Sequence, residues 1–312
     1  MFDNIINVIL SSGFLYSVIR ISTPLLFGSM GALICKQGGV LHIAFEACML
    51  FAAFFSMAAS AYSQSLIVGL IAGMIGGIAT MLLLGYFNLK LKANVVLTGI
   101  ALNTLASGGT VFLMYLLTGE KGTSNSLPSL VFPSVELPII KDIPIIGPAL
   151  SGQNILTYIA LLMPIFVYIL IFRTPLGLRI RSVGENENAA SSVGIKVDKT
   201  KFITLIIGGA ITSLGGIFMS MGYLSWFARD MIAGRGFMAI AAQNLGNASV
   251  LPTFVTSIAF GLANALAVTL QTLSLPSEIF QAMPYVFTLI GLAAYSSSLK
   301  KQESASSKKS KK

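Results

Sequence analysis

The chain has 312 residues, of which 55% are hydrophobic and only 10% are charged, and its mean hydropathy is +0.84. A soluble domain carries about a quarter charged residues, so this composition excludes an ordinary soluble globular protein. The net charge is +9, but the basic residues cluster at the ends of apolar runs and in the last part of the chain. This pattern indicates membrane orientation rather than nucleic-acid binding.

Apolar runs recur along the chain at about the length of 20 residues that a helix needs to cross a hydrocarbon core. They predict an all-α fold, a polytopic transmembrane helical bundle of about nine or ten spans. The runs lie at 14–35, 43–62, 65–88, 95–117, 155–172, 202–224, 236–248, 250–273 and 280–298. The seventh run is too short to cross alone, and residues 2–19 form either an interfacial helix or a tenth span.

A charged segment at 173–201 interrupts the apolar runs. Basic residues beside spans remain on the cytoplasmic side of a membrane, so this segment and the C-terminus are predicted to be cytoplasmic. Alternation of the spans then places three segments outside, namely 118–154, 225–235 and 274–279.

Two domains are predicted. Residues 1–299 form a transmembrane domain that includes the charged segment. Residues 300–312 form a disordered, basic cytoplasmic tail that contacts anionic membrane lipid.

A short helix is predicted around Ala189 and Ala190, because Gly194 follows at the position where a helix ends in a left-handed residue. Gly184 is predicted to permit a sharp turn at the other end of this helix.

Small residues repeat at a spacing of four on two predicted spans, which lets helix backbones approach closely. They are Gly69, Gly73 and Gly77 on one span and Gly208, Thr212, Gly216 and Ser220 on the other. The two spans contain the similar words GGIATMLLLGY and GGIFMSMGY and are predicted to run in opposite directions. Either an inverted internal repeat or chance similarity between apolar helices explains this match.

Several segments together resemble the permease subunit of bacterial ATP-binding cassette (ABC) importers of the branched-chain amino acid, ribose and nucleoside group. They are KQGGVLHIAFEACML, LKANVVLTGIALN, LSGQN, RSVGENENAASSVGIKV, MIAGRGFMAIAA and QAMPYVFTL. Their order and spacing are most similar to the nucleoside branch, whose substrate-binding protein is a lipoprotein of the basic-membrane-protein type. The resemblance covers residues 20–298.

The resemblance implies that the charged segment is a coupling segment that sits in a groove of a cytoplasmic ABC ATPase; an ordinary charged loop is the alternative. The residues implied in coupling are Gly184, Glu185, Asn186, Glu187, Ala189, Ala190 and Gly194. The other implied partners are a second permease subunit, a different but related chain, and an extracytoplasmic substrate-binding lipoprotein. The implied location is a bacterial cell membrane.

Residues that perform chemistry are scarce. The chain has one histidine, no glycine-rich phosphate loop followed by Lys-Ser/Thr, and no cluster of carboxylates or thiols with metal-ligand spacing. Cys35 and Cys48 are expected to be small core residues. We therefore expect a transport subunit that is not an enzyme, has no cofactor or metal, and relies on a separate subunit for ATP hydrolysis.

Polar or aromatic residues within otherwise apolar spans are candidates for lining a solute path, since buried amides need a cavity or a partner helix. The candidates are Asn94, Asn103, Phe237, Gln243, Asn244, Asn264 and Gln271. Amides suit an uncharged solute with hydroxyl groups. Hydrogen bonding between helices is the alternative for each of them. Tyr223 and Trp226 are expected either to stack on a base or to lie in the interfacial aromatic belt.

The resemblance and the uncharged path favour half of a translocation pore for a small uncharged solute, with a purine nucleoside as the first hypothesis. A simple sugar, riboflavin or a branched-chain amino acid remains an alternative. Another class of function is a self-sufficient secondary transporter coupled to protons or sodium through His42 and Glu46, which lie four residues apart. We expect instead that these two residues are structural polar groups within the bundle.

Overall fold

The computed structural model describes residues 11–138 and 146–271. The helices are α1 (Ser12–Gln37), α2 (Phe45–Ser63), α3 (Leu66–Gly85), α4 (Val95–Thr118), α5 (Ile146–Leu150), α6 (Ile155–Arg173), α7 (Pro175–Glu185), α8 (Glu187–Ser192), α9 (Val197–Phe218), α10 (Arg235–Leu245) and α11 (Val250–Gln271). Two π-helical turns, Tyr86–Lys90 and Met219–Tyr223, extend α3 and α9. The predicted span at 280–298, the segment 274–279, the tail at 300–312 and residues 2–10 lie outside the described residues. Residues 12–19 belong to α1, so the expectation of a separate interfacial helix or span at 2–19 is wrong for this part.

Seven of the described helices are long and apolar enough to cross a membrane, namely α1, α2, α3, α4, α6, α9 and α11. Their positions match the predicted runs, and the all-α, polytopic fold is confirmed. The run at 236–248 corresponds to α10, which has 11 residues. A helix of this length is about 16 Å long, so the expectation that it cannot span alone is also confirmed.

Small residues bring the inner helices α1, α2, α3 and α9 together. The helices α3 and α9 run antiparallel, since Gly69 lies against Met221 and Gly85 lies against Leu205. A methyl group on Gly73 would lie 2.7 Å from Ile217 Cγ1. The predicted close approach of helix faces is confirmed. The inverted repeat stays a prediction.

The two cysteines belong to this inner bundle. Cys35 is 1% exposed and Cys48 is 0% exposed, and both are free thiols. Cys48 Sγ lies 3.5 Å from the carbonyl oxygen of Gly77 and 3.6 Å from that of Gly209. Both residues are small core groups, as the sequence predicts.

A small antiparallel hairpin covers the end of the bundle where α1 begins. Its strands are β1 (Ser134–Val135) and β2 (Gln153–Asn154), with Ser134 opposite Asn154. The Nε2 atom of Gln153 donates to the backbone oxygen of Tyr16 at 3.0 Å. The hydroxyl of Tyr16 donates to the backbone oxygen of Gly152 at 3.1 Å. These bonds attach the hairpin to the first turns of α1.

Candidate solute path and coupling segment

The charged segment folds into two helices, α7 and α8, rather than the single short helix that the sequence predicts. The hydroxyl of Thr174 accepts from the backbone N–H of Gly177 at 3.0 Å, and Pro175 occupies the first position of α7. A threonine cap followed by proline is a common start of a helix. This signal was present in the sequence and was missed.

The short helix α8 lies where the sequence predicts it. Asn186 Oδ1 accepts from the backbone N–H of Ala189 at 3.0 Å and so caps the first turn. Gly194 follows the helix with φ of +85°, and no atom would lie within 4 Å of a methyl group placed on it. Glycine is therefore favoured here by the backbone conformation and not by a neighbouring contact.

Gly184 has a different role from the predicted turn, and that prediction is wrong. It lies within α7 and is not among the positive-φ residues. A methyl group on it would clash with the carbonyl oxygen of Gln37 and lie 3.0 Å from the backbone nitrogen of Gly39. The missing side chain allows α7 to contact the end of α1, a contact between distant parts of the chain.

The outer surface of α8 is polar and mostly accessible. Glu185, Asn186, Glu187 and Ala189 are exposed, whereas Ala190 is 3% exposed and packs toward the bundle. Ala190 was also implied in coupling, but its side chain faces the bundle and is not accessible to a partner.

Two features surround this surface. The Nζ atom of Lys201 lies 2.6 Å from Glu187 Oε1 and attaches α8 to α9. A groove of about 790 Å³ separates α7 from the start of α9, and its lining includes Arg179, Val193, Lys196 and Lys199. The segment therefore combines acidic, basic and apolar surface with connections to the membrane helices.

Glu46 binds the N-terminus of α10. Its two carboxylate oxygens accept hydrogen bonds from the backbone N–H groups of Gly234 and Gly236, each at 2.8 Å. Free N–H groups and the helix dipole make this end of a helix favourable for a carboxylate. Glu46 therefore links α2 to α10.

His42 has separate interactions. Its ring stacks on Phe45 at 4.2 Å, and its Nδ1 atom accepts from the backbone N–H of Ala44 at 3.3 Å. It lies between α1 and α2, where burial lowers the pKa of His42 to about 3. No bond joins His42 to Glu46 among the described residues, so the arrangement offers no direct proton route between them.

The segment predicted at 225–235 as an outer loop instead extends into the bundle. Ser107 lies near the middle of α4 (Val95–Thr118). At a rise of about 1.5 Å per residue, it is about 18 Å from Val95 along the helix axis. Its hydroxyl donates to Asp230 Oδ1 at 2.7 Å. Asp230 is therefore near the middle of a span. We call residues 224–234 the mid-membrane turn.

Backbone pairing and left-handed residues build the mid-membrane turn. The backbone N–H of Ser124 donates to the carbonyl of Phe227 at 2.9 Å, and that of Arg229 donates to the carbonyl of Gly122 at 2.9 Å. The ring of Phe227 is fully buried. Three residues then adopt positive φ, namely Asp230, Ala233 and Gly234. They reverse the chain into α10, a half-helix that begins within the bundle.

Two charged side chains of the mid-membrane turn are exposed on the surface of this chain. The side chains of Arg229 and Asp230 are 66% and 48% exposed, and Arg229 Nε lies 3.4 Å from Asp230 Oδ2. Charged groups at this depth face a water-filled cavity or another protein chain, because lipid cannot solvate them. The exposed surface of the turn is consequently not a lipid-facing surface.

Two of the predicted path residues, Asn94 and Asn103, use their side chains in hydrogen bonds to the backbone. Asn94 Oδ1 caps α4 by accepting from the backbone N–H groups of Val96 and Leu97. Asn103 accepts from the backbone N–H of Ala47 at 3.0 Å and donates to the carbonyl of Ile43 at 3.0 Å. For these two residues, the structural alternative describes the observed contacts.

The remaining path candidates divide by exposure. Phe237, which is 45% exposed, and Asn244 lie seven residues apart on one face of α10 and are accessible. Gln243 is 2% exposed, and its Nε2 atom has no partner among the described residues. Asn264 Nδ2 lies 3.4 Å from Met238 Sδ. Gln271 ends α11, and its side chain lies outside the described part.

The two aromatic candidates, Tyr223 and Trp226, lie where the chain enters the mid-membrane turn, at the end away from α10. Arg20 stacks on the ring of Tyr223 at 4.3 Å and donates to its backbone oxygen at 2.8 Å. Trp226 is half-buried. Tyr223 is therefore held by Arg20.

Sequence reasoning missed Ser107, Arg229 and Asp230 as path candidates. They are polar residues on the surface that also carries the start of α10. The available signal was the charged stretch before a span too short to cross, which is typical of a broken membrane helix.

A family model for the permease component of branched-chain amino acid transport systems matches residues 14–292. The nucleoside ABC transporter permease protein NupC of Lactococcus lactis is 29% identical, covering 94% of this chain and 93% of its own length. The guanosine ABC transporter permease protein NupQ of Bacillus subtilis is 28% identical, covering 93% and 92%. The glucose ABC transporter permease protein TsgB13 of Haloferax volcanii is 26% identical, covering 64% and 54%.

The fold is also similar to a solved structure, PsaBC from Streptococcus pneumoniae in complex with Fab. The TM-score is 0.52 at 16% identity, and the match covers 93% of this chain and 95% of that chain. With most of the chain matched by the family model and by full-length relatives, this multi-pass membrane protein belongs to the branched-chain amino acid transport permease family and is a transport subunit of an ABC importer.

Proposed function

We propose that this permease forms half of the translocation pore for a small uncharged solute, and that the solute is a purine nucleoside. The observation that carries the proposal is the polar surface at the mid-membrane turn. Asp230 and Arg229 offset each other's charge at 3.4 Å, so this pair offers hydrogen bonds without a net charge. The relatives named for nucleosides and guanosine support this choice of solute.

We further propose that α8 and the groove beside it dock on a cytoplasmic ABC ATPase. Glu185, Glu187 and Ala189 are accessible to such a partner, and Val193 is 77% exposed. Movement of α8 would be transmitted to α9 through the Lys201–Glu187 ion pair and to α1 through Gly184. A second, related permease chain would complete the pore, and an extracytoplasmic lipoprotein would deliver the solute.

A branched-chain amino acid is the second candidate, because the pair of Arg229 and Asp230 can bind both of its charged groups. A zwitterion carries a carboxylate that suits Arg229 and an ammonium group that suits Asp230. It would have to replace the contact of 3.4 Å between the two side chains, so the nucleoside remains the first choice.

Competition in a reconstituted transporter tests the substrate. The complete assembly of both permeases, ATPase and binding protein would be placed in vesicles containing ATP, and uptake of labelled guanosine would be measured. We expect excess inosine to suppress uptake and leucine, glucose and riboflavin to leave it unchanged. Absence of guanosine uptake, together with uptake of leucine or glucose, would refute the nucleoside assignment and leave the importer assignment intact.

A further inference from the structure

The carboxylate of Asp230 is chemically the most distinctive group on the exposed surface of the mid-membrane turn. Its place is fixed by Ser107, whose hydroxyl donates to Oδ1 at 2.7 Å. Its backbone has φ of +50°, which is uncommon for a residue with a side chain. The side chain is nevertheless 48% exposed. It is therefore held in one position and still available to a ligand.

The hydrogen-bonding capacity of Asp230 is only partly used. An ionised carboxylate offers about four lone-pair sites on its two oxygens. Ser107 uses a site on Oδ1, and Arg229 Nε lies 3.4 Å from Oδ2. About one acceptor site on each oxygen remains. Two adjacent donors on one solute can therefore bind both oxygens at once.

The surroundings disfavour ligands that carry a net charge. No group of three or more His, Cys, Asp or Glu side chains that could bind a metal is found among the described residues. A free cation is opposed by Arg229, and an anion is opposed by Asp230 itself. The geometry favours a neutral solute that donates two neighbouring hydrogen bonds.

An apolar surface lies close in sequence to this carboxylate. Phe237 is in the first turn of α10, directly after the left-handed residues, and is 45% exposed. An aromatic ring can contact the flat face of a base by stacking, a contact that depends little on base identity. Paired hydroxyls and a flat base are both present in a ribonucleoside.

We infer that Asp230, oriented by Ser107, is the specificity residue of the path and recognises the vicinal hydroxyl groups of the solute's ribose. The inference rests on the proposed nucleoside function and makes it more specific. Ser107 acts as a positioning residue, since its hydroxyl fixes one carboxylate oxygen. Recognition by hydroxyl donors predicts tolerance of different purine bases and intolerance of sugars that lack the diol.

The test compares inosine with 2′,3′-dideoxyinosine in the complete reconstituted transporter, each at a saturating concentration of loaded binding protein. The variants are Asp230→Asn and Ser107→Ala. Glu120→Gln is the matched control, an exposed carboxylate just beyond the end of α4. Because every variant uses the same binding protein, comparing variants removes that protein's own preference.

We expect Asp230→Asn to reduce the maximal inosine rate about tenfold or more, as for loss of hydrogen bonds to a charged group. The dideoxyinosine rate should stay within about twofold, because that solute never made those bonds. Ser107→Ala should cause a smaller loss in the same direction, and Glu120→Gln should resemble wild type. Assembly should be equal in all four proteins, and Glu120→Gln should keep the ATPase activity of the wild type.

Three results would overturn the inference. Equal loss of both rates in Asp230→Asn would indicate a structural role in the turn. Loss of assembly would indicate a contact with the second permease chain. Inosine and dideoxyinosine rates that both stay at the wild-type level would show that the carboxylate does not bind the diol. A wild-type protein that carries neither nucleoside would instead refute the proposed function, and this inference with it.

Discussion

The inner bundle and the mid-membrane turn hold their backbones in place by opposite means. In the bundle of α1, α2, α3 and α9, glycines and small residues permit direct contact between helices, as where Gly216 lies against the backbone of Met49. In the turn, hydrogen bonds and left-handed residues shape an exposed polar surface. Substitutions in the bundle should therefore affect assembly, whereas substitutions in the turn should affect which solute passes.

The largest effect is expected for Gly216→Val. The new side chain would collide with the carbonyl oxygen of Met49, and its Cβ would lie 2.8 Å from the carbonyl carbon. Backbone cannot yield as a side chain can, so the cost should exceed the usual 1–3 kcal/mol, roughly, of overpacking. We expect almost no folded protein in detergent extracts, measured by size-exclusion chromatography. Gly13→Ala is the control, because the nearest atom to its Cβ would be 3.9 Å away. Normal recovery of Gly216→Val would contradict the packing account.

A smaller effect should separate the two glycines of the charged segment. Gly184→Ala introduces a clash with the Gln37 carbonyl, whereas Gly194→Ala introduces only a left-handed residue into open space. The second change should cost about 1–2 kcal/mol locally, and the first should cost more. ATPase pull-down and ATP-driven uptake should both decline more for Gly184→Ala. The reverse order would show that the contact between α7 and α1 is unimportant.

These two glycines also show how far sequence can predict this fold. Long apolar runs determine the spans, and the local pattern around Asn186 and Gly194 determines α8. The contact between Gly184 and Gln37 joins distant parts of the chain, and no local pattern records it. Asp230 was missed for the same reason, since its contact with Ser107 joins residues that are far apart in the chain. Asn94, however, precedes a predicted span, and its capping role could have been predicted from that position.

The next effect, a loss of thermal stability, is expected for Glu46→Gln, which tests the link between α2 and α10. The amide keeps one oxygen acceptor but loses the second acceptor and the charge at the helix N-terminus, for a cost of about 1–3 kcal/mol. We expect a lower melting temperature and continued ATP-driven uptake when the proton gradient is collapsed. Loss of uptake with unchanged melting would favour a proton-coupling role for Glu46.

The smallest effect is the dependence of folding stability on pH through His42. Its pKa is lowered to about 3 by burial, from 6.5, so the unfolded chain binds the proton first as pH falls. Stability is then lost below pH 6.5, continuing toward pH 3, by about 1 kcal/mol between pH 7 and 5.5. We expect melting in detergent to follow this slope and His42→Gln, which retains an acceptor without titrating, to flatten it. An identical pH slope in the variant would refute a buried, neutral His42.

Accessibility of position 230 tests most directly whether a polar path opens at the mid-membrane turn. The native cysteines are buried, so Asp230→Cys can be labelled with a water-soluble thiol reagent in membranes that contain the complete transporter. Ile75→Cys is the control, at the middle of α3 on a surface that is 61% exposed but apolar. We predict rapid labelling at 230, slowed by transported nucleoside, and little labelling at 75. Absence of labelling at 230 under every nucleotide condition would contradict the account.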